Sequence, residues 1–184
     1  MPDSDHDIDL IVRALSFAAR KHRHQRRKDA EASPYINHPI ELAEILVHEG
    51  GVRDPVVLSA AILHDTIEDT ETTFDELVHE FGGRIAGIVA EVTDDTTLRK
   101  EERKRLQVER ARRSSSEAKL VKLADKIDNL RDMLSAPPAG WSAERRRAYF
   151  SWAAEVVAGL RGCNSALEDA FDRVFVRAAE VEDR

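Results

Sequence analysis

The sequence predicts an all-α fold, with roughly eight to ten helices in a single domain spanning residues 1–184. Apolar residues recur at helical spacing along most of the chain, and no strand-like alternation of useful length interrupts them. Glycine and proline, which disfavour helices, number only 8 and 6 among the 184 residues. A chain of this length is long enough to bury one apolar core and short for two.

The expected helices are bounded by start and stop signals. The first follows the acidic residues Asp5 and Asp7, and Thr73 with Glu76 forms a capping box before another. A proline or a glycine pair stands at several of the other boundaries. In chain order, the expected helices cover about residues 10–19, 39–49, 55–69, 74–81, 84–92, 99–113, 120–134, 142–160 and 164–179.

Two of the expected helix starts are defined by specific residues. Ser114 and Glu117 form a second expected capping box, which places Ser114 at the start of a helix. His38 is expected outside the α region at the edge of its helix, because a following proline disfavours that region.

Composition excludes several classes of protein. Hydrophobic residues make up 42% and charged residues 34% of the chain, which is typical of a globular protein with a charged surface. The longest apolar runs are too short to span a membrane, and the acidic start lacks an export signal. Cys163 is the single cysteine, which agrees with a reducing compartment. We therefore expect a cytoplasmic protein without membrane contact, and the sequence sets no oligomeric state.

The distribution of charge points to a small anionic ligand. A formal net charge of −7 argues against nucleic-acid binding. Residues 20–28, RKHRHQRRK, nevertheless contain six lysines or arginines and no acid. In a second basic segment, residues 99–113, lysines and arginines alternate with glutamates, which favours a solvated helix.

The segment AAILHDTIEDT, residues 60–70, ends an apolar run with ionisable side chains. In a continuous helix Asp65 shares a face with Leu58 and Ile62, where an aliphatic residue is expected. His64 and Glu68 stand one turn apart, as do Asp65 and Asp69. A buried carboxylate is costly unless it is compensated, so the segment requires a partner.

Histidine and aspartate on three expected helices offer a set of metal ligands: His38, His64, Asp65 and Asp125. Imidazole and carboxylate suit Mn, Fe, Co or Zn, and a single cysteine excludes a thiolate cage. The residues alone leave alternatives open. An adjacent His-Asp pair is common, His38 could cap its helix, and the apolar stripe of the helix at 120–134 sends Asp125 to solvent.

Longer motifs resemble one known family, the HD-domain metal-dependent phosphohydrolases. RRKD at 26–29, PYINHP at 34–39, LHDTIEDT at 63–70 and KLADKIDNLRDM at 122–133 resemble the hydrolase domain of RelA/SpoT enzymes, which removes the 3′-pyrophosphate of ppGpp. The segment 140–162 resembles the small alarmone hydrolases of the metazoan SpoT-homologue type. The likeness covers about residues 10–176. It implies a helical HD fold and a guanosine-3′,5′-bis(diphosphate) 3′-pyrophosphohydrolase that acts on ppGpp or pppGpp.

The resemblance also implies roles for individual residues. One Mn²⁺ would be held by His38, His64, Asp65 and Asp125. Glu68 and Asp69 would handle the attacking water and its protons, with the division between them open. The implied nucleotide contacts are Arg27, Lys28, Lys100, Asn129 and Tyr149, whereas we expect Tyr35, Trp141 and Trp152 to be packing residues.

Two departures from the family pattern and two competing functions remain. Ala30 and Ala32 replace Pro and Gly, and Asp128 replaces an aromatic residue or histidine, where it would weaken the hold on an anion or face water. A phosphatase acting on the 2′-phosphate of NADPH would use the same metal. A nucleotide-sensing HD protein is expected to have a broken set of ligands or acids, whereas this chain retains all six.

Overall fold

The computed structural model describes residues 4–29, 31–138 and 140–182, and within them the chain is α-helical without a β-strand. An isolated antiparallel bridge joins Arg26 to Pro34. The described ranges contain ten helices, of which nine have eight residues or more and the fourth is a single turn. They are α1 (Ser4–Lys21), α2 (Asn37–His48), α3 (Pro55–Leu63), α4 (Thr66–Asp69), α5 (Phe74–Phe81), α6 (Gly83–Val92), α7 (Lys100–Ala111), α8 (Ser116–Ser135), α9 (Ala143–Leu160) and α10 (Ser165–Glu182). The predicted all-α class is confirmed.

Side-chain caps start several helices where the sequence predicts them. Asp54 accepts a hydrogen bond from the Val56 amide at the start of α3, and Thr73 accepts one from Glu76 at the start of α5. The prediction for α8 was wrong by one residue, because Ser115 rather than Ser114 caps it. His38 was also expected outside the α region, yet it is the second residue of α2. A following proline disfavours the α region, but at His38 this preference is outweighed by packing of the buried first turn of α2.

The expected helix over 55–69 is divided in the structure. Helix α3 ends at Leu63, and Asp65 has φ −97° and ψ 0° before α4 begins at Thr66. The Thr66 hydroxyl donates to the Leu63 carbonyl at 2.7 Å, which satisfies a backbone acceptor at the end of α3. His64 keeps helical dihedrals, φ −54° and ψ −36°, so the departure from a continuous helix begins at Asp65. The expectation of one unbroken helix over 55–69 was therefore wrong.

Helix α3 occupies the centre of the core. All its residues from 57 to 63 are buried, and it packs against α1, α2, α6 and α8. A helix that is apolar on every side is stable only when neighbours surround it. Its C-terminal end therefore lies deep in the protein, and His64, which follows it, is only 5% exposed. None of the helices in the described ranges is long and apolar enough to cross a membrane.

The loop between α1 and α2 contains most of the basic segment 20–28, since α1 ends at Lys21. Asp29 stabilises this loop by accepting hydrogen bonds from the amides of Glu31 and Ser33. Ala32 has φ +50°, in the left-handed region that favours glycine. Ala30, the other departure in this loop, lies outside the described residues. The backbone at Ala32 is therefore strained.

We expect Ala32→Gly to raise the free energy of unfolding by about 0.5–1 kcal/mol. Glycine removes a steric cost of ~1–2 kcal/mol at positive φ, which outweighs the ~0.4–1 kcal/mol of extra entropy in the unfolded chain. Urea unfolding followed by circular dichroism measures the change. Glu31→Gly is the matched control, because Glu31 has no positive φ and should lose stability. Equal effects at both positions would contradict the assignment of strain to Ala32.

Candidate active site

Three parts of the fold bring two histidines and two aspartates together. His38 comes from α2, His64 and Asp65 from the break between α3 and α4, and Asp125 from α8. The Nε2 atom of His38 lies 3.4 Å from Asp125 Oδ1 and 3.8 Å from Asp65 Oδ2. His64 Nε2 lies 3.0 Å from Asp65 Oδ2. The four side chains form one cluster, which we call the His/Asp cluster.

Each histidine is oriented by a partner at its other nitrogen. The Nδ1 atom of His38 lies 2.6 Å from Asp128 Oδ2, and Nδ1 of His64 lies 2.8 Å from the Ala61 carbonyl oxygen. A carboxylate or carbonyl behind one ring nitrogen sets the tautomer and leaves the other nitrogen free to ligate. Both Nε2 atoms therefore face the His/Asp cluster.

The His/Asp cluster fits a divalent metal ion. One ligand atom each from His38, His64 and Asp65 lie within 4.8 Å of one another. His64 Nε2 is buried and, among the described residues, has no partner in hydrogen-bonding geometry. A buried polar nitrogen without a partner is costly, and a metal ion would satisfy it. The mixed nitrogen and oxygen ligands are those that borderline divalent ions accept.

The cluster holds its carboxylates ionised. Burial raises the pKa of Asp65, but the neighbouring imidazoles of His64 and His38 outweigh burial and lower it. Burial also opposes ionisation of Asp125, whose pKa is nonetheless held well below its usual range, chiefly by Lys126 with Nζ at 3.1 Å. For His38, burial is outweighed by hydrogen bonds to Asp125 and Asp128, which raise its pKa to about 10. A proton and a metal ion therefore compete for His38.

Glu68 and Asp69 lie in different surroundings although they are adjacent. Glu68 is half-buried and accepts a hydrogen bond from the Asp94 amide at 2.9 Å. Burial, with the charges of Asp94 and Asp65, raises the pKa of Glu68 to about 7. Asp69 is exposed and accepts a hydrogen bond from Gln25 at 2.8 Å. A carboxyl that titrates near neutrality is suited to proton transfer.

A cavity of about 400 Å³ adjoins the cluster. Basic, aromatic and acidic side chains share its walls with a few apolar ones: Gln25, Arg26, Arg27, Lys28, Asp29, Tyr35, Asp69, Asn129, Asp132, Met133, Ala136, Pro138, Trp141 and Tyr149. Its volume lies in the range of small-molecule sites, and flat rings beside cations suit a nucleotide with several phosphates. We call it the basic–aromatic cavity.

Four of the five predicted nucleotide contacts line the basic–aromatic cavity. Arg27, Lys28, Asn129 and Tyr149 lie on its walls. Asn129 also donates a hydrogen bond to Asp125 Oδ1 at 2.5 Å, which joins the cavity to the His/Asp cluster. Lys100 does not line the cavity. Its ammonium lies 5.8 Å from the ring centroid of Trp141, one of the lining residues.

Two residues that we predicted to be packing residues also line the cavity, although Trp141 packs against the core as expected. The Tyr35 hydroxyl donates a hydrogen bond to Asp65, and its ring lines the basic–aromatic cavity. Trp141 lines the same cavity, with the Arg145 guanidinium 4.0 Å from its ring centroid. Trp152 packs as expected, against Tyr149 and with its indole N–H donating to the Lys104 carbonyl.

Asp128 does not face water, contrary to one of the two expectations for it. Its side chain is buried against His38, and Arg27 Nη2 lies 3.6 Å away. Asp125, which the apolar pattern sent to solvent, is also buried. On α8 the residues 125, 128, 129 and 132 recur at i, i+3, i+4 and i+7, so they share a polar face. That spacing was the available sequence signal for Asp128.

Sequence reasoning also missed three cations near the aromatic wall: Lys104, Lys126 and Arg145. Lys104 Nζ and Lys126 Nζ lie 4.7 and 4.5 Å from the ring centroid of Trp152. Burial lowers the pKa of Lys104, and the nearby charges of Lys100, Lys126 and Arg145 lower it further. A site that gathers cations at such a cost attracts anions. Their basic character was visible in the sequence, but their convergence from three helices was not.

Comparison with known proteins agrees with this geometry. Residues 14–165 match the family model for the HD domain. The chain belongs to the HD-domain family. Two HD-domain relatives are the guanosine-3′,5′-bis(diphosphate) 3′-pyrophosphohydrolases MESH1 of Xenopus tropicalis and Homo sapiens. The first is 59% identical over 170 residues, covering 92% of this chain and 95% of that protein. The second is 60% identical over 165 residues, covering 90% and 92%.

A solved structure supports the same placement within the HD-domain family. A metazoan orthologue of SpoT, described as hydrolysing ppGpp, matches with a TM-score of 0.89 at 50% identity. The match covers 91% of this chain and 94% of that chain. The resemblance to RelA/SpoT HD-domain hydrolases is therefore confirmed, whereas the roles of individual residues stay predictions.

We expect Asp65→Ala to weaken metal binding by at least about 100-fold, because it removes a carboxylate that faces both imidazoles and the loss of a mere supporting residue costs ~10–100-fold. Glu68→Ala should leave metal affinity near the wild-type value. Titration calorimetry with Mn²⁺ measures both. Loss of metal in both variants would mean that Glu68 is misassigned as a catalytic acid.

Proposed function

We propose that this HD-domain protein hydrolyses the 3′-pyrophosphate of ppGpp and pppGpp, releasing pyrophosphate with GDP or GTP. The observation that carries the proposal is the continuity of the His/Asp cluster with the basic–aromatic cavity. Tyr35 connects the two, since it lines the cavity and its hydroxyl donates a hydrogen bond to Asp65 of the cluster. A nucleotide in the cavity would have its phosphates beside the cluster. The MESH1 relatives and the SpoT orthologue carry the same activity in their names or description.

The proposed ligands of the metal are His38, His64, Asp65 and Asp125, and the proposed ion is Mn²⁺. The donor set supports a borderline divalent ion, and the choice of manganese among such ions rests on the family resemblance. When bound, a divalent ion supplies positive charge to a phosphoryl oxygen and lowers the pKa of water. Asp128 and the Ala61 carbonyl hold the two imidazoles in the orientation that ligation requires.

The remaining residues bind the nucleotide and move protons. Arg27 and Lys28 offer charge to phosphates, with Lys100 near the aromatic wall, and Tyr149 offers a ring face to the base. In hydrolysis the water oxygen bonds to phosphorus and loses a proton. The bond from phosphorus to the ribose 3′ oxygen breaks, and that oxygen gains a proton. We assign the proton transfers to Glu68, whose pKa of about 7 lets it accept and donate near neutral pH. Asp69, exposed on the cavity wall, orients the water.

Incubation of the purified protein with ppGpp and Mn²⁺ tests the proposal. We expect pyrophosphate and GDP in equal amounts, and GTP in place of GDP when pppGpp is supplied. A parallel assay with NADPH, tracking release of inorganic phosphate, tests the competing phosphatase function. Turnover of NADPH alone by metal-loaded protein would replace the proposal, and turnover of neither would favour a nucleotide-sensing HD protein.

The pH dependence tests the assignment of Glu68. Because its pKa is raised to about 7, its carboxyl is protonated below that pH and cannot accept a proton. We expect kcat to fall about tenfold per pH unit below 7 in the wild type. Glu68→Gln should lose ~10²–10⁴-fold in kcat together with this inflection, whereas Asp69→Asn should be slower but retain it. An inflection that survives in Glu68→Gln would contradict the assignment.

A further inference from the structure

Asp128 lies directly behind His38, on the side of the ring that faces away from the His/Asp cluster. Its Oδ2 atom is 2.6 Å from His38 Nδ1, and the two side chains are 4% and 2% exposed. The contact joins α8 to α2, since His38 is in the first turn of α2 and Asp128 is in the middle of α8. It is therefore a buried hydrogen bond between two elements that supply proposed metal ligands.

This contact determines what His38 presents to the cluster. With Nδ1 directed at a carboxylate, the ring proton of the neutral imidazole lies on Nδ1 and the lone pair on Nε2. Nε2 then faces Asp125 Oδ1 at 3.4 Å and Asp65 Oδ2 at 3.8 Å. Without an acceptor behind Nδ1, no hydrogen bond on that side would select this tautomer or this ring orientation. Asp128 thus fixes both the direction and the chemical form of the ligating nitrogen.

Asp128 also contacts the basic–aromatic cavity through Arg27. Arg27 Nη2 lies 3.6 Å from Asp128 Oδ2 and forms a closer contact with Asp132, one turn further along α8. The Arg27 side chain is 13% exposed and lines the cavity. One buried carboxylate therefore touches a proposed ligand of the metal and a proposed ligand of the phosphates.

A simpler explanation would make Asp128 part of an acidic cation site with Glu41 and Asp132. One carboxylate oxygen from each of these residues lies within 4.8 Å of the others. Arg27 already provides the charge that Asp128 and Asp132 require, however, and both Arg27 and His38 contact the same oxygen of Asp128, Oδ2. Glu41 shares a hydrogen bond with Asp128, so these carboxyls are already partnered without an ion. The contacts of Asp128 are directed at the active site rather than at a second ion.

We propose that Asp128 is the positioning residue of this active site: it holds the His38 imidazole with Nε2 directed at the metal and couples that ligand to Arg27 in the substrate cavity. This proposal rests on the metal-dependent function proposed above and does not depend on which nucleotide is hydrolysed. The role of Asp128 is indirect, since it acts through His38 and Arg27.

The test compares Asp128→Ala, Asp128→Asn and Asp132→Asn. The alanine removes the acceptor behind His38, whereas the asparagine keeps an oxygen of similar position but loses the charge. Asp132→Asn is the matched control, because it lies on the same face of α8 and contacts Arg27 without contacting His38. Mn²⁺ affinity is measured by titration calorimetry on chelator-treated protein, and circular dichroism verifies the fold of each variant.

We expect Asp128→Ala to weaken Mn²⁺ binding by about 10–100-fold, the usual cost of losing the partner behind a ligating histidine. Asp128→Asn should recover part of that loss, because its amide oxygen can still accept from Nδ1. Asp132→Asn should keep the metal affinity of the wild type, because Asp132 contacts Arg27 but not His38. The rise in Tm on adding Mn²⁺ should shrink in Asp128→Ala, an effect that a merely structural residue would not show.

Three results overturn the proposal. If Asp128→Ala and Asp128→Asn are folded and bind Mn²⁺ as the wild type does, Asp128 does not position His38. If Asp132→Asn weakens Mn²⁺ binding as much as Asp128→Asn, the effect is one of overall charge. If Asp128→Ala fails to fold, the Mn²⁺ affinity of folded Asp128→Asn is compared with that of the wild type and of Asp132→Asn in the same way. Failure of the wild type to bind Mn²⁺ would overturn the metal-dependent function as well, so the two failures are distinguishable.

Discussion

Helix α8 buries two carboxylates among apolar helices, and the structure depends on the positive groups that compensate their charge. Asp125 and Asp128 are both less than a tenth exposed, and an ionised carboxylate withdrawn from water is strongly destabilising without a partner. Lys126 and His38 balance Asp125, while His38 and Arg27 balance Asp128. These partners come from α8 itself, from α2 and from the loop between α1 and α2. The same contacts that make the burial tolerable fix the relative positions of these elements.

Local signals predicted the framework of the fold well. Thr73, Asp54 and Ser142 cap helices because an N-cap bond is made within three residues, so short-range sequence contains all the information it needs. Apolar periodicity identified the core face of α8 for the same reason. It could not describe the opposite face, where Asp125 is buried by contacts from α2 that are remote in sequence. Family resemblance, rather than periodicity, placed Asp125 at the site.

The break between α3 and α4 could not be predicted from the sequence pattern. A helix over 55–69 has no glycine or proline in its interior, and the charge of Asp65 on an apolar face predicts a partner rather than a break. The structure interrupts it with Asp65 near φ −97° and ψ 0°, a backbone region that active-site residues often occupy. The position of Tyr35 was missed for a related reason. It follows a loop, and only the tertiary fold brings its hydroxyl to Asp65.

The contacts of Arg27 have a consequence for which molecules this cavity retains. Its guanidinium already pairs with Asp132 and lies near Asp128, so an incoming anion must take it from existing counter-ions. A single weak negative charge gains little from such an exchange, whereas a group with several ionised oxygens gains more than the protein loses. The acids around Arg27 therefore favour ligands with several negative charges over ligands with one.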